Sequence, residues 1–225
     1  MTRLRRAIAA LPLWASLALG ASLASGAQPD SATRMPAPSA VKTGSIARAQ
    51  EKREALRSGQ QYDETFRRYS KRYFGAAWDW RWFKAQGMAE SGLDSTAKSR
   101  VGARGVMQLM PSTYGYIQSR RPEFGTIDDP EWNIAAGIMH DRYLWKYWEK
   151  DVSAEERYRF MFGSYNAGER TIGRAADSAR VSAGGAPRWL HVEEVAPRVP
   201  RWRYRETLDY IRKIDANYAK LKRQR

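Results

Sequence analysis

Apolar residues recur at steps of three and four along most of the chain, a spacing that gathers them on one face of a helix. Tyr62, Phe66, Tyr69 and Tyr73 form an aromatic stripe within a charged stretch from residue 46 to about 74, with Gly59 a point where two helices would divide. Trp82, Ala85, Gln86, Ala89 and Leu93 keep the same spacing over 79–91, and Gly92 supplies the stop. Pro111, followed by Ser112 and Thr113, predicts a fresh helix over 111–120. Ile134, Ile138, Tyr143, Leu144 and Trp148 predict another over 130–150, and Tyr158, Met161 and Phe162 one over 154–165. Glu206 to Lys222 reads as a closing amphipathic helix. Two stretches break the period. DSTAKSRVGARG predicts a loop or short hairpin near residues 97–106, and the Gly-, Pro- and Arg-rich run 177–200 reads as an irregular excursion. No period-two alternation is sustained, so the expected fold is mainly α.

The first 27 residues do not fit this scheme. Arg3, Arg5 and Arg6 precede an apolar run from Ala7 to Ala24, and Ser25-Gly26-Ala27 offers small residues for cleavage, the make-up of a secretory signal peptide. An uncleaved anchor is the rival, since the run approaches the roughly 18 residues needed to span a bilayer. Pro12 and the many small residues weaken it. Residues 28–45, rich in Pro, Ser, Ala and Thr, read as a flexible linker, and 46–75 as an N-terminal helical segment. That leaves 76–222 for one catalytic domain, consistent with a chain of 225 residues.

Composition narrows the chemistry. The absence of cysteine removes disulfides, thiol nucleophiles and thiolate metal sites, and suits export to the bacterial periplasm. The net charge of +15 falls by three when the signal arginines are set aside and stays strongly basic, which points to an anionic partner. The basic residues are scattered and form no nucleic-acid motif, so the polymer of the cell wall fits better than nucleic acid. The two histidines, His140 and His191, are isolated and give no metal site at a recognised spacing; no cofactor is expected.

Four separated clusters could carry chemistry: Ala89-Glu90-Ser91, Gly105-Val106-Met107-Gln108, Ser164-Tyr165-Asn166-Ala167-Gly168, and Glu206-Thr207 with Tyr210. In this order, with Ser99 nine and Gln108 eighteen residues after Glu90, they resemble the goose-lysozyme-like catalytic domain of bacterial lytic murein transglycosylases of the soluble type. The resemblance runs from about Tyr62 to Lys213. Val106 stands where the family usually has Leu, Ser164 where it has Ala, and Ser95 where Pro is common.

The resemblance implies a lysozyme-like single domain that cleaves the MurNAc-GlcNAc β-1,4 bond of peptidoglycan without water, leaving 1,6-anhydro-MurNAc ends. It implies Glu90 as acid and then base, with Ser99, Met107, Gln108, Tyr165, Asn166 and Tyr210 contacting substrate or lining the cleft. The residues themselves support a single carboxyl. A glycosidic oxygen needs protonation, and a carboxylic acid does this near neutral pH only where an apolar site raises its pKa. Most glycosidases add a second carboxylate. Asp94 and Asp141 are candidates by count alone and read better as solvated or capping groups, and Glu206 as a structural partner. Trp189 and Trp202, in the excursion, are candidates for a sugar-stacking groove. The alternatives are a hydrolytic muramidase of the same fold and a catalytically inactive peptidoglycan-binding protein. Expected partners are peptidoglycan glycan strands and, beyond them, a cell-envelope assembly, with membrane contact only through an uncleaved signal.

Overall fold

The computed structural model describes residues 60–224. The signal segment, the linker and the N-terminal helical segment up to residue 59 lie outside the described residues.

Among the described residues, eight α-helices and one 3-10 turn follow in order: α1 Asp63–Phe74, α2 Arg81–Ser91, α3 Pro111–Arg120, α4 Pro130–Tyr147, α5 Ala154–Ala167, α6 Glu169–Ala183, α7 Trp189–Val195, the 3-10 turn Ala196–Arg198, and α8 Tyr204–Arg223. The helix ends follow local chemistry. Asp63 and Glu64 open α1 and Lys71 and Arg72 close it, each sign facing the complementary end of the helix dipole. Gly92 takes a left-handed φ of 67° after α2, and its N–H returns to the carbonyls of Gly87 and Met88. Pro130 occupies the first turn of α4, where Asp129 caps the N–H groups of Glu131 and Trp132.

The amphipathic faces meet as the spacing predicts. Phe66 and Tyr69 of the aromatic stripe are buried, and Tyr62 and Tyr73 pack against the same core. Phe83, Ile134, Ile138, Phe160 and Phe162 have no exposed surface. Helix α2 lies along α8, α1 along α4, and α4 along α5. The first of these pairings is held by Trp82 stacked on Tyr218, with ring centroids 3.7 Å apart, and by Asn217 Nδ2 donating to the Ala85 carbonyl at 3.2 Å. Lys84, almost wholly buried, pairs with Asp63 and ties α2 to α1.

Two expectations need correction. Residues 177–200 are not an irregular excursion: α6 continues to Ala183, α7 covers 189–195, and only the break at 184–188 and the segment after Val195 depart from α-helix. Beyond Ile172, the inward apolar face of α6 is Ala175, Ala176 and Ala179, too small to stand out among the arginines around it. The hairpin near 97–106 is reduced to two isolated bridges, Lys98 with Arg104 and Arg104 with Leu109, with no strand among the described residues.

Candidate active site

Glu90 is the penultimate residue of α2, and its position is fixed from three sides. Helix α2 ends at Gly92, and Ser91 Oγ donates to the Val106 carbonyl at 2.8 Å, which pins that end to the 103–109 turn. Helix α8 brings Tyr210, whose hydroxyl donates to Glu90 Oε1 at 2.5 Å. Helix α5 brings Tyr165, whose hydroxyl donates to the Met107 carbonyl at 2.8 Å. Glu90 is 9% exposed, so its carboxyl sits at the edge of the interior. Desolvation pushes its pKa up to about 8; the Tyr210 hydrogen bond pulls it down and the nearby Glu206 carboxyl raises it. At neutral pH this group is a carboxylic acid with a proton to give.

The 103–109 turn passes twice through the left-handed region, once at a glycine and once at a residue that disfavours it. Gly105 adopts φ +76°, and a Cβ there would fall 2.5 Å from Asn133 Nδ2. Gln108 also lies in the left-handed region, at φ +44°. Asn133, on α4 and without exposed surface, holds the turn from below: its Oδ1 accepts from the Met107 N–H at 2.8 Å, and its Nδ2 donates to the carbonyls of Arg104 at 2.9 Å and Ile127 at 3.0 Å. Met107 itself is buried over Gly137, where a Cβ would come within 2.8 Å of it. Asn133 carries no motif of its own, and its role follows only from the fold.

A second wall stands beside the first. Trp202 Nε1 donates to Thr207 Oγ1 at 3.0 Å, and Thr207 in turn donates to Asn166 Oδ1 at 2.8 Å, a chain that joins the start of α8 to the end of α5. These three residues, with Thr171, Arg203 and Glu206, line a cleft of about 140 Å³. Trp202 is thus at the cleft, whereas Trp189 is 2% exposed and packs edge-on to Phe160 in the core. Ser164 is buried and accepts from Trp148 Nε1 at 2.9 Å, which accounts for a hydroxyl at that position.

The structure therefore pairs Glu90 with Tyr210 and the Met107 carbonyl with Tyr165, two hydrogen bonds whose groups feel one another electrostatically, while Asn166 belongs to the separate Thr207–Trp202 chain along the cleft, whose Glu206 carboxyl acts on Glu90. Ser99 and Gln108 are engaged within their own loop. Ser99 Oγ accepts from the Ala103 N–H at 2.9 Å, and Gln108 Nε2 donates to the carbonyls of Ala97 at 3.1 Å and Gly105 at 2.9 Å. Asp94 accepts from Thr96 in its own exposed turn, the capping role its sequence suggested. Asp141 does not fit that reading: it is wholly buried and makes neither a cap nor a solvated group. Burial alone pulls the pKa of His140 down to about 4, so its imidazole, 5.3 Å from the Tyr165 ring, stays neutral. Among the described residues no three His, Asp or Glu side chains converge as metal ligands would.

The chain is similar to known proteins. Residues 74–184 match the family model of the transglycosylase SLT domain. The chain carries a transglycosylase SLT domain. The match stops short of α8, the helix that supplies Tyr210. The membrane-bound lytic murein transglycosylase F of Pasteurella multocida (strain Pm70) is 30% identical over 188 residues, covering 76% of this chain and 36% of that protein. The SLT fold is also seen in the 70 kDa soluble lytic transglycosylase of Escherichia coli, with a TM-score of 0.54 and 24% identity over 71% of this chain and 24% of the other. The lytic transglycosylase Slt of Pseudomonas aeruginosa, solved as an inactive Glu-to-Gln mutant, gives 0.54 and 22% over 71% and 23%. The chain spans about a quarter to a third of the length of the curated relatives it matches. No helix among the described residues is long and apolar enough to cross a membrane.

Proposed function

We propose that this chain is a peptidoglycan lytic transglycosylase, exported to the periplasm by residues 1–27, with Glu90 as its catalytic group. The observation that carries the reading is a single carboxyl, desolvated to a pKa of about 8, hydrogen-bonded by Tyr210 at the edge of the interior of an SLT domain. That an inactive relative differs by one Glu-to-Gln exchange supports it.

In this mechanism the Glu90 proton passes to the oxygen linking MurNAc to GlcNAc, and the C1–O bond breaks with its electron pair going to that oxygen. Glu90, now a carboxylate in a poorly solvating site, removes the proton from the sugar's own 6-hydroxyl. The freed oxygen bonds to C1 and closes the 1,6-anhydro ring. No atom is gained or lost overall, and Glu90 regains its proton. Tyr210 steadies the carboxylate half of this cycle, since a hydrogen bond to the charged form favours it. The Met107 carbonyl, fixed by Tyr165, and the side chains along the Asn166 wall are placed to orient the N-acetyl and hydroxyl groups of the sugars. The strongly basic chain is suited to an anionic wall polymer.

Purified sacculi digested with the mature protein are expected to release fragments ending in 1,6-anhydro-MurNAc, lighter by one water than hydrolysed ends, as read by mass spectrometry. Hydrated reducing ends would instead identify a muramidase, and release of nothing a wall-binding protein. Tyr210→Phe is expected to move the alkaline limb of the pH–rate profile upward, because the hydrogen bond that lowers the Glu90 pKa is gone, and to reduce kcat by about 10- to 100-fold. An unmoved limb would remove Tyr210 from the proton cycle.

A further inference from the structure

A second carboxyl lies behind Glu90, with no path to a substrate. Asp141, on α4, has no exposed surface. Gln86 Nε2 donates to its Oδ1 at 3.3 Å, while its Oδ2 is buried without a hydrogen-bond partner. Gln86 is equally enclosed, and its own Oε1 is also without a partner. Two acceptors, one from each member of an already bonded pair, are thus left unsatisfied in the interior, where an unmet hydrogen-bonding group is costly. An ionised carboxylate cannot relieve either of them, because it offers no donor. One proton relieves both: on Oδ2 it becomes a donor, and the amide oxygen of the same Gln86 is the acceptor in want of one.

The surroundings favour that proton. Glu90 on α2, Tyr165 on α5 and Tyr210 on α8 are the ionisable groups whose fields couple with Asp141, and none of them is a cation. Burial raises the Asp141 carboxyl well above the usual carboxylate range; the Gln86 hydrogen bond pulls it back and the Glu90 carboxyl raises it again, and burial prevails. His140, its neighbour in the chain, is held neutral. Gln86 stands four residues before Glu90, on the same face of α2 one turn back.

We infer that Asp141 is a positioning residue that keeps its proton and closes a two-point acid–amide pair with Gln86, fixing the turn of α2 that presents Glu90. The inference rests on Glu90 being the catalytic group. It explains how a wholly buried aspartate can sit in the same cluster without competing: Asp141 stays neutral while Glu90 gives and takes the proton. An ionised Asp141 would hold the Glu90 proton in place by like-charge repulsion.

Infrared difference spectra of the Glu90→Gln protein against the Glu90→Gln, Asp141→Asn double variant at pH 7 test the proton directly. The carbonyl stretch of a protonated carboxylic acid is expected in the first and absent from the second; no such band in the first overturns the inference. In sacculus digestion, Asp141→Leu is expected to lower kcat by about tenfold or more with little change in KM. Asp141→Asn recovers most of that loss, since its amide can both donate to Oε1 and accept from Nε2. A downward shift of the Glu90 alkaline limb in the Asn variant would show that Asp141 is charged in the working enzyme, and would also overturn the inference. If the wild-type protein cleaves nothing, the transglycosylase reading fails, while the infrared result still decides the state of Asp141.

Discussion

Glu90→Gln is expected to abolish glycan cleavage and, in the same step, to stabilise the protein, by an amount that grows as pH rises from about 5 to 8. The sign follows from the proton balance. Glu90 titrates near 4.5 when unfolded and near 8 in the fold, so between those values the folded state holds a proton that the unfolded state has released. Stability therefore falls with rising pH across that window and is unaffected below it. At about 1.4 kcal/mol per pH unit the full window is worth on the order of 5 kcal/mol. Glutamine never ionises, and its side-chain oxygen can still accept from Tyr210. Melting temperatures of the two proteins should coincide near pH 4 and separate by about 10 °C or more at pH 8, with the variant higher. A variant melting lower at pH 8 would mean that the fold welcomes the Glu90 carboxylate. Such an exchange of stability for activity is the usual sign of a functional group held in an unfavourable site.

The other large effect is expected at Asn133, which touches no substrate in the proposed mechanism. Asn133→Ala removes three hydrogen bonds at once and leaves the Met107 N–H and the Arg104 and Ile127 carbonyls to find other partners. With a cavity added, the cost is about 3–5 kcal/mol in chemical denaturation. Activity should fall further than the unfolded fraction explains, because the 103–109 turn that carries the Met107 carbonyl and grips Ser91 is no longer held. Substitution without loss of stability would show that the turn supports itself.

The unequal legibility of this molecule in its sequence has physical causes. Helices whose inward faces carry large apolar residues, such as α1 with Phe66 and Tyr69 or α4 with Ile134 and Ile138, announce themselves by spacing. Helix α6 does not, because alanines fill its inward face and the arginines outside them dominate the composition. The glycines that end α2 and shape the turn before Gln108 are local requirements and were legible. The geometric partners have no local signal, and Tyr210 is placed at the cleft by the family resemblance alone. Tyr210 reaches Glu90 across 120 residues and Gln86 reaches Asp141 across 55, separations that no local pattern encodes. Asp141 in particular, beside Arg142 in the chain, has the sequence surroundings of a solvated aspartate, and only the packing of α4 turns it inward. Ser99 and Gln108 stand in recognisable spots, yet their hydrogen bonds return to the backbone of their own loop, so their contribution begins with the shape of that loop.

The separation of 120 positions between Glu90 and Tyr210 also sets an order in time. During synthesis α2 emerges long before α8, and until α8 docks Glu90 has neither its phenol partner nor the apolar cover that raises its pKa. In that unfinished state it is an ordinary carboxylate, ionised at neutral pH and without a proton to donate. A polypeptide travelling to the envelope unfolded would thus be harmless on the way, its proton donor made only when α8 closes over α2.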